Sequence, residues 1–256
     1  MSELSQRILT ERRGPIFIVT INRPEVKNAF DYETAKAMQA AMDRLDQDED
    51  LFVGIITGAG GTFSSGADLK EAAKGQSQAR LARGGSGIQE RPPRKPLIAA
   101  VEGFAVAGGF ETCLACDLIV AASNAKFGLP EVRYNLVADS GLVRLPRRMP
   151  YHLAMELALT GDFKEAQYLE RWGMVNRISG PGKALEEAIR LAETLLANGP
   201  LALAATKEVI FHSQNSSDEV LCAKQMPIVQ KIRNSEDTAE GLKAFAEKRK
   251  PVWKGR

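Results

Sequence analysis

Residues 53–71 (VGIITGAGGTFSSGADLKE) and 97–115 (LIAAVEGFAVAGGFETCLA) share one arrangement: an apolar strand, a glycine-rich turn and then a helix. Each stretch places a carboxylate directly after its turn, Asp68 in the first and Glu111 in the second. Glycine permits positive φ and lets a ligand approach the backbone closely. The first N–H groups of a helix have no internal partner and carry partial positive charge. Two such turns side by side would offer two donors to one oxygen, which is the geometry of an oxyanion hole.

Other interpretations of these turns stay open or are weaker. In either turn alone, the glycines could simply allow a strand and a helix to pass closely. Residues 58–60 (GAG) begin like a dinucleotide-binding turn, but Phe63 stands where the third glycine is needed. The sequence has no P-loop motif and no Gly-x-Ser-x-Gly, and a Ser/His triad would have to recruit His152 or His212 from polar helical surroundings.

The rest of the chain predicts an α/β body followed by helices. Strands are predicted over residues 16–21, 53–57, 97–101, 118–122 and 127–129. Helices are predicted over residues 31–46, 68–74, 108–116, 150–160, 164–172, 183–198, 200–213, 217–232 and 237–249. Asp31 is placed to cap the first of these helices. Residues 75–95 are polar and predict a mobile loop.

Composition and charge exclude several function classes. The chain has 256 residues, of which 44% are hydrophobic, and a formal net charge of +2, so nothing indicates a nucleic-acid binder. Cys113 and Cys116 form a Cys-x-x-Cys without a second pair, which favours two cysteines on an apolar helix face over a metal site. The N-terminus lacks an apolar signal segment, and the apolar stretch 97–110 is interrupted by Glu102. We therefore expect a reduced, cytoplasmic protein without a membrane span.

Three acids stand near the glycine-rich turns or after the strand that follows them. Glu111 lies in the first turn of its predicted helix. Glu131 follows Pro130, which ends the predicted strand at 127–129. Asp139 precedes Ser140, where another helix is expected. The structural alternatives are a dipole-complementing residue, a solvated residue and a helix cap, respectively.

Five groups of residues, taken together and in order, resemble the crotonase, or enoyl-CoA hydratase/isomerase, superfamily over nearly the whole chain. They are 22–24 with 28–29 (NRP, NA), 63–69 (FSSGADL), 99–103 with 108–111 (AAVEG, GGFE), 127–131 (FGLPE) and 240–249 (EGLKAFAEKR). Residues 129–145 and the ending AFAEKRKPVWKGR most resemble the carnitinyl-CoA dehydratase branch. The resemblance implies an α/β spiral of ββα units. Its core, residues 1–198, would hold CoA and the active site, and a helical region, residues 199–256, would build trimers, commonly paired into hexamers.

The resemblance also implies roles for particular residues. The oxyanion donors would be the backbone N–H groups of Ala67 and Gly108. The CoA-binding residues would be Ser65, Ala67, Leu69 and Lys70, with Phe245 and Lys248 reaching the CoA of a neighbouring subunit. Glu111 and Glu131 match the two family glutamates: Glu131 would activate water, and Glu111 would orient it and exchange the Cα proton.

The implied function is a reversible enoyl-CoA hydratase, or 3-hydroxyacyl-CoA dehydratase, acting on an acyl-CoA thioester. No metal or other cofactor is implied, since coenzyme A is part of the substrate. Asn135 and residues 138–141 (ADSG) depart from the commonest family pattern. Asp139 stands near a working aspartate of related isomerases and a dehalogenase, so an isomerase or hydrolase using Glu131 or Asp139 stays open. A non-catalytic member that binds acyl-CoA or RNA is a further alternative.

Overall fold

The computed structural model describes residues 7–74, 80–214 and 216–256. The described strands are β1 (Ile8–Arg13), β2 (Ile16–Ile21), β3 (Val53–Gly58), β4 (Leu97–Val101), β5 (Phe104–Val106), β6 (Leu118–Ala122), β7 (Lys126–Gly128), β8 (Lys164–Glu165) and β9 (Arg177–Ser179). The described helices are α1 (Tyr32–Gln47), α2 (Leu69–Ala72), α3 (Gly108–Ala115), α4 (Asp139–Arg144), α5 (Tyr151–Thr160), α6 (Ala166–Arg171), α7 (Ala184–Leu196), α8 (Pro200–Ser213), α9 (Asp218–Arg233) and α10 (Glu236–Ala246). The predicted α/β class is confirmed.

The main sheet has six strands in the order β1-β2-β3-β4-β6-β9, all parallel except β1 against β2. Every residue of β4 is buried, as expected for a strand covered on both faces. Helix α1 contributes Met38, Met42 and Leu45 to the core on one face, and α7 contributes Ala188 and Ala192 to the core on the other. Because β3 and β4 are parallel neighbours, the two glycine-rich turns that follow them leave the sheet at the same edge.

A second sheet of three strands, ordered β5-β7-β8, extends from that edge. Strand β5 pairs with β7 in parallel, with Val106 opposite Gly128. An isolated bridge joins Ser64 to Ala105, so the first turn is tied to the strand that leads into the second turn. The same pairing of β5 with β7 brings the start of α3 beside the segment that begins at Pro130.

The predicted strands and most of the predicted helices are confirmed to within two residues at each end. Strands β1, β5, β8 and β9 were not predicted; β1 is an edge strand in which only Ile8 is buried. The predicted helix at 68–74 is only four residues long, and the last helix ends at Ala246, before Lys248 adopts a φ of 53°. The interpretation of Asp139 as a helix cap is wrong, because α4 begins at Asp139 itself and Ala138 precedes it without a side-chain cap.

The loop predicted at 75–95 lies partly outside the described residues, which resume at Arg80. Its described part packs firmly against α1. The buried guanidinium of Arg83 pairs with Asp43 and Asp46, each at 2.7 Å. A Cβ on Gly87 would lie 2.1 Å from the carbonyl oxygen of Ala35, so only glycine allows this approach.

Two further sequence predictions concern the division of the chain and membrane spans. The predicted boundary between residues 198 and 199 falls between α7 and α8, and the division into a core and an oligomerisation region stays a prediction. Lys207 on α8 donates to Asp117 at 2.6 Å, which ties this helix to the sheet. Among the described helices, none combines the length and the apolar character that a membrane span requires.

Candidate active site

A cleft of about 770 Å³ opens where the two glycine-rich turns meet. Its walls include the backbone of residues 66–67 and 107–108 and the carboxyl side chains of Glu111, Glu131 and Asp139. The parallel register of β3 and β4 therefore brings together two turns, and the amides of Ala67 and Gly108 in them, that lie about forty positions apart in the sequence.

The amides of Ala67 and Gly108 lie next to each other at this cleft. A Cβ on Gly66 would be 2.7 Å from the Gly108 nitrogen, and a Cβ on Gly108 would be 3.5 Å from the Ala67 nitrogen. Gly66 has a φ of 93°, which favours glycine. Neither of the two amides donates to another residue of the described chain. Two neighbouring unused donors can bind one oxygen that carries negative charge.

The two donors are held by different local structures. The Ala67 amide was expected at a helix start, but Ala67 lies in a bridge with Phe30: the Phe30 amide donates to Gly66 at 2.7 Å, and the Asp68 amide donates to Phe30 at 2.8 Å. Gly108 is the first residue of α3, where N–H groups lack internal partners. Ala107 precedes it with a φ of 51°, a strained conformation for a residue with a side chain.

Glu111 lies in the first turn of α3, as predicted, and only 8% of it is exposed. Its Oε1 accepts a hydrogen bond from the Gly141 amide at 2.7 Å and lies 3.4 Å from the Ser140 hydroxyl oxygen. Burial raises the pKa of this carboxyl, the charge of Asp139 raises it further, and the Gly141 and Ser140 donors oppose the rise. A carboxyl held in this way is fixed in place and binds a proton more readily than an exposed one.

Glu131 is the second residue of a 3₁₀ turn, Pro130–Tyr134, that starts just after β7. Its Oε2 is buried and has no hydrogen-bond partner among the described residues. Burial, and secondarily the charge of Glu111, raises the pKa of Glu131 to about 7. A carboxyl with a pKa near neutrality can both accept and return a proton under physiological conditions.

The other predicted site residues divide into two groups. Ser65, Leu69 and Asp139 line the cleft beside the oxyanion pair. Lys70, Phe245 and Lys248 are not among its lining residues, and Phe245 is 86% exposed on α10. Asp68, which the sequence placed in parallel with Glu111, instead pairs with Arg23 at 3.2 Å and caps α2. The two turns are therefore alike in backbone but not in the role of their carboxylates.

Three residues beside Glu111 were missed by the sequence analysis: Gln89, Ser140 and Gly141. Gln89 is 6% exposed, and its Nε2 donates to the Gly108 carbonyl oxygen at 3.0 Å. A glutamine in a polar segment has no sequence signal that distinguishes it from a solvated side chain, so only the tertiary structure identifies it.

No group of three or more His, Cys, Asp or Glu side chains in the described ranges is placed to hold a metal ion. Cys113 and Cys116 are both buried at α3. Burial raises the pKa of the Cys113 thiol well above its usual value. Burial, together with the charge of Asp117, raises the pKa of the Cys116 thiol to about 12. These cysteines are therefore protonated, which agrees with their interpretation as core residues.

Comparison with known proteins identifies the family. The sequence profile of the Enoyl-CoA hydratase/isomerase family matches residues 11–256. The chain belongs to the enoyl-CoA hydratase/isomerase family. A carnitinyl-CoA dehydratase of Salmonella heidelberg is 42% identical over 262 residues, which cover 99% of this chain and 100% of that relative. The predicted membership of the crotonase superfamily is confirmed, and with it the prediction of an enzyme.

Solved structures of this enoyl-CoA hydratase/isomerase family match the fold closely. An enoyl-CoA hydratase of Mycobacterium marinum has a TM-score of 0.95 at 53% identity, over 98% of this chain and 100% of that one. A carnitinyl-CoA hydratase of Mycobacterium avium has a TM-score of 0.78 at 37% identity, over 98% of this chain and 99% of that one. The predicted crotonase-like fold is therefore confirmed.

The raised pKa of Glu131 has a consequence for stability in this family member. Between pH 4.5, the usual value, and about pH 7, folded Glu131 keeps a proton that the unfolded chain loses. Stability therefore falls as pH rises through this interval, and the loss is complete above pH 7. Glu131→Gln removes this penalty. After allowance for solvent screening of a half-buried group, we expect the variant to be more stable by about 1–2 kcal/mol at pH 8 and little changed at pH 5.

Urea unfolding of both proteins at the two pH values measures this difference. Equal differences at pH 8 and pH 5 would show that the ionisation of Glu131 is not their cause.

Proposed function

We propose that the protein adds water to enoyl-CoA thioesters and, in reverse, dehydrates 3-hydroxyacyl-CoA thioesters. The observation that carries the proposal is the buried, unpartnered Oε2 of Glu131 in the same cleft as the unused amides of Ala67 and Gly108. A carboxyl whose pKa is near neutrality, beside two backbone amides that are free to donate, is suited to the addition of water to a polarised double bond.

In the proposed mechanism, the thioester carbonyl oxygen accepts hydrogen bonds from the amides of Ala67 and Gly108. When water attacks Cβ, the π electrons move toward this oxygen, and the donors bind the enolate more strongly than the ground state. Glu131 takes the proton from the attacking water. Glu111 orients the water and delivers a proton to Cα, so water is added across the double bond and the reverse steps dehydrate the product.

The proposal extends to the binding of CoA and to the assembly. Ser65, Ala67, Leu69 and Lys70 would bind the CoA portion of an acyl-CoA thioester, with no further cofactor. Phe245 and Lys248 would reach the CoA of a neighbouring subunit in a trimer or hexamer, and the exposure of the Phe245 ring supports a contact with another copy. The unpaired cysteines support a reducing compartment such as the cytoplasm.

The charges around the cleft suggest an acyl group that carries a positive charge. Four carboxyl side chains line the cleft, those of Asp31, Glu111, Glu131 and Asp139. Asp31 pairs with Arg23 at 3.3 Å, and the other three form no ion pair with the described residues. Its arginines are already paired: Arg80 with Glu90, and Arg133 with Asp162. We therefore propose that a trimethylammonium acyl group is accepted at least as well as a neutral one of equal length.

The test follows the loss of enoyl absorbance for crotonyl-CoA and for its 4-trimethylammonium derivative, with the product analysed by mass. Addition of one water to either compound is the expected result. If the protein hydrates neither compound and no enoyl-CoA of another chain length, the proposed function is contradicted. A higher kcat/KM for crotonyl-CoA than for the cationic compound contradicts only the acyl preference.

A second candidate, a CoA-ester isomerase or hydrolase, is favoured by Asp139, which lines the same cleft. Isomerisation would leave the substrate mass unchanged, and hydrolysis would release a CoA thiol that a thiol reagent detects. For the hydratase, we expect Asp139→Asn to keep hydration within about tenfold of wild type, because Asp139 acts on the chemistry only through its charge near Glu111. Isomerisation or thiol release that is lost in Asp139→Asn would support the second candidate.

A further inference from the structure

The amide side chain of Gln89 lies between the backbone of Gly108 and the carboxyl of Glu111, both of which the proposed reaction uses. Its Nε2 is 3.0 Å from the Gly108 carbonyl oxygen and 3.5 Å from Glu111 Oε2. Its Oε1 accepts a hydrogen bond from the Ser140 hydroxyl at 3.2 Å. Gln89 therefore contacts both the residue that supplies an oxyanion donor and the carboxyl that faces the cleft.

The chemistry of its partners determines the orientation of this amide. The Gly108 carbonyl oxygen can only accept, so the nitrogen of Gln89 must face it. The Ser140 hydroxyl can donate, and it lies on the Oε1 side. One Nε2 hydrogen is used by Gly108, and the second is available for Glu111 Oε2.

The two oxygens of Glu111 have different surroundings. Oε1 receives the Gly141 amide at 2.7 Å and has the Ser140 hydroxyl nearby. Among the described residues, Oε2 has one donor, the long contact from Gln89 at 3.5 Å. An oxygen that accepts short hydrogen bonds is less basic, so a proton on Glu111 is favoured at Oε2.

We propose that Gln89, together with Ser140, is a positioning residue for Glu111. It keeps Oε1 hydrogen-bonded to α4 and leaves Oε2 as the oxygen that exchanges the substrate proton. The exchange with substrate rests on the proposed function. The positioning itself is a property of the free protein and is testable without substrate.

The Ser140 hydroxyl adapts this arrangement to both charge states of Glu111. The hydroxyl has one proton and two acceptors within 3.4 Å, Gln89 Oε1 and Glu111 Oε1. When Glu111 is ionised, the proton is best placed on the carboxylate, and when Glu111 is neutral it is best placed on Gln89. The side chains can thus stay in place while the charge changes.

Charged groups from other elements also act on Glu111. Asp139, on α4, and Glu131, after β7, add negative charge nearby and favour the protonated form of Glu111. Arg144, at the end of α4, acts in the opposite direction. The substitutions chosen below leave these three groups unchanged.

The test compares Gln89→Met, which keeps the length of the side chain without its hydrogen bonds, with Thr112→Val. Thr112 Oγ1 also donates to the Gly108 carbonyl oxygen, at 2.8 Å, so each variant removes one donor to that oxygen. Only Gln89→Met also removes the Glu111 contact. The pKa of Glu111 is measured in the free protein by carbon-13 NMR of labelled glutamate carboxyls, with its resonance identified by loss in Glu111→Gln.

We expect Gln89→Met to raise the pKa of Glu111 by no more than about 0.5 pH unit, since the contact that it removes is long, and Thr112→Val to leave this pKa unchanged. In turnover, kcat should fall about 10- to 100-fold with KM within about twofold, because misplacement of the carboxyl affects the chemical step. Ser140→Ala should shift the pKa in the same direction and serves in place of Gln89→Met if that variant does not fold.

Wild-type values of the Glu111 pKa and kcat in Gln89→Met overturn the inference, as does an equal pKa shift in Thr112→Val. The pKa shift in a protein that turns over no enoyl-CoA supports the positioning while the proposed function fails. Normal turnover in wild type without a shift in Gln89→Met supports the function while the positioning fails.

Discussion

Glu131→Gln is expected to lower kcat for crotonyl-CoA hydration by about 10²–10⁴-fold, the usual contribution of a general acid or base. The glutamine keeps the shape of the side chain but cannot take a proton from water. Because the buried Oε2 of Glu131 has no partner among the described residues, no other contact there needs to be broken by the substitution. Stopped-flow or steady-state loss of enoyl absorbance measures the effect.

The matched control for this variant is Glu170→Gln on α6, where the glutamate is exposed. It makes the same chemical change away from the cleft and should retain wild-type turnover. The urea unfolding of Glu131→Gln at pH 8 shows whether the variant is folded, so that a loss of activity in the folded variant is assigned to the chemical step. Hydration retained by Glu131→Gln would remove Glu131 from the mechanism.

Gly66→Ala is expected to lower kcat/KM by about 10²–10³-fold, the loss associated with one oxyanion donor. The added Cβ would lie 2.7 Å from both the Gly108 nitrogen and the Ala107 Cβ. A Cβ atom does not approach non-bonded atoms this closely, so the two turns must move apart and the amides no longer converge on one point. The measurement is steady-state hydration of crotonyl-CoA together with circular dichroism of the folded variant.

Gly61→Ala is the control that separates the clash from backbone strain. Gly61 has a φ of 74°, similar in sign to the 93° of Gly66, but a Cβ there meets nothing within 4 Å. Both variants therefore place alanine at positive φ, and only Gly66→Ala obstructs the amide pair. An equal loss of activity in the two variants would mean that strain, and not the geometry of the donors, causes the effect.

The parts of the fold that were predicted from sequence have strong local signals. The strands at 16–21, 53–57, 97–101 and 118–122 are rich in β-branched or apolar residues and are bounded by turns. Asp31 accepts the Thr34 amide at the start of α1, as its position predicted. By contrast, β1 lies at the sheet edge with only Ile8 buried, and β8 has only two residues, so neither has an apolar pattern long enough to recognise.

For the same reason, some residues of the site were predicted from the sequence and others were missed. The glycine-rich turns and the acids at 111 and 131 were found because turn residues and carboxylates can be recognised from residue type and position. Gln89 was missed because its burial depends on packing against α3 and α4, which a local pattern does not encode. The cap assigned to Asp139 was wrong because α4 starts one residue earlier than expected.

The sequence by itself determined the family, the strands and the residue types at the turns, since glycine conformations and apolar patterns are local properties of the chain. Only the tertiary structure decided that the amides at 67 and 108 are neighbours, that Asp68 serves an ion pair, and that the pKa of Glu131 is about 7. Distances between remote segments follow from the register of β3 and β4, and a pKa follows from burial and nearby charge, which exist only once the chain is folded.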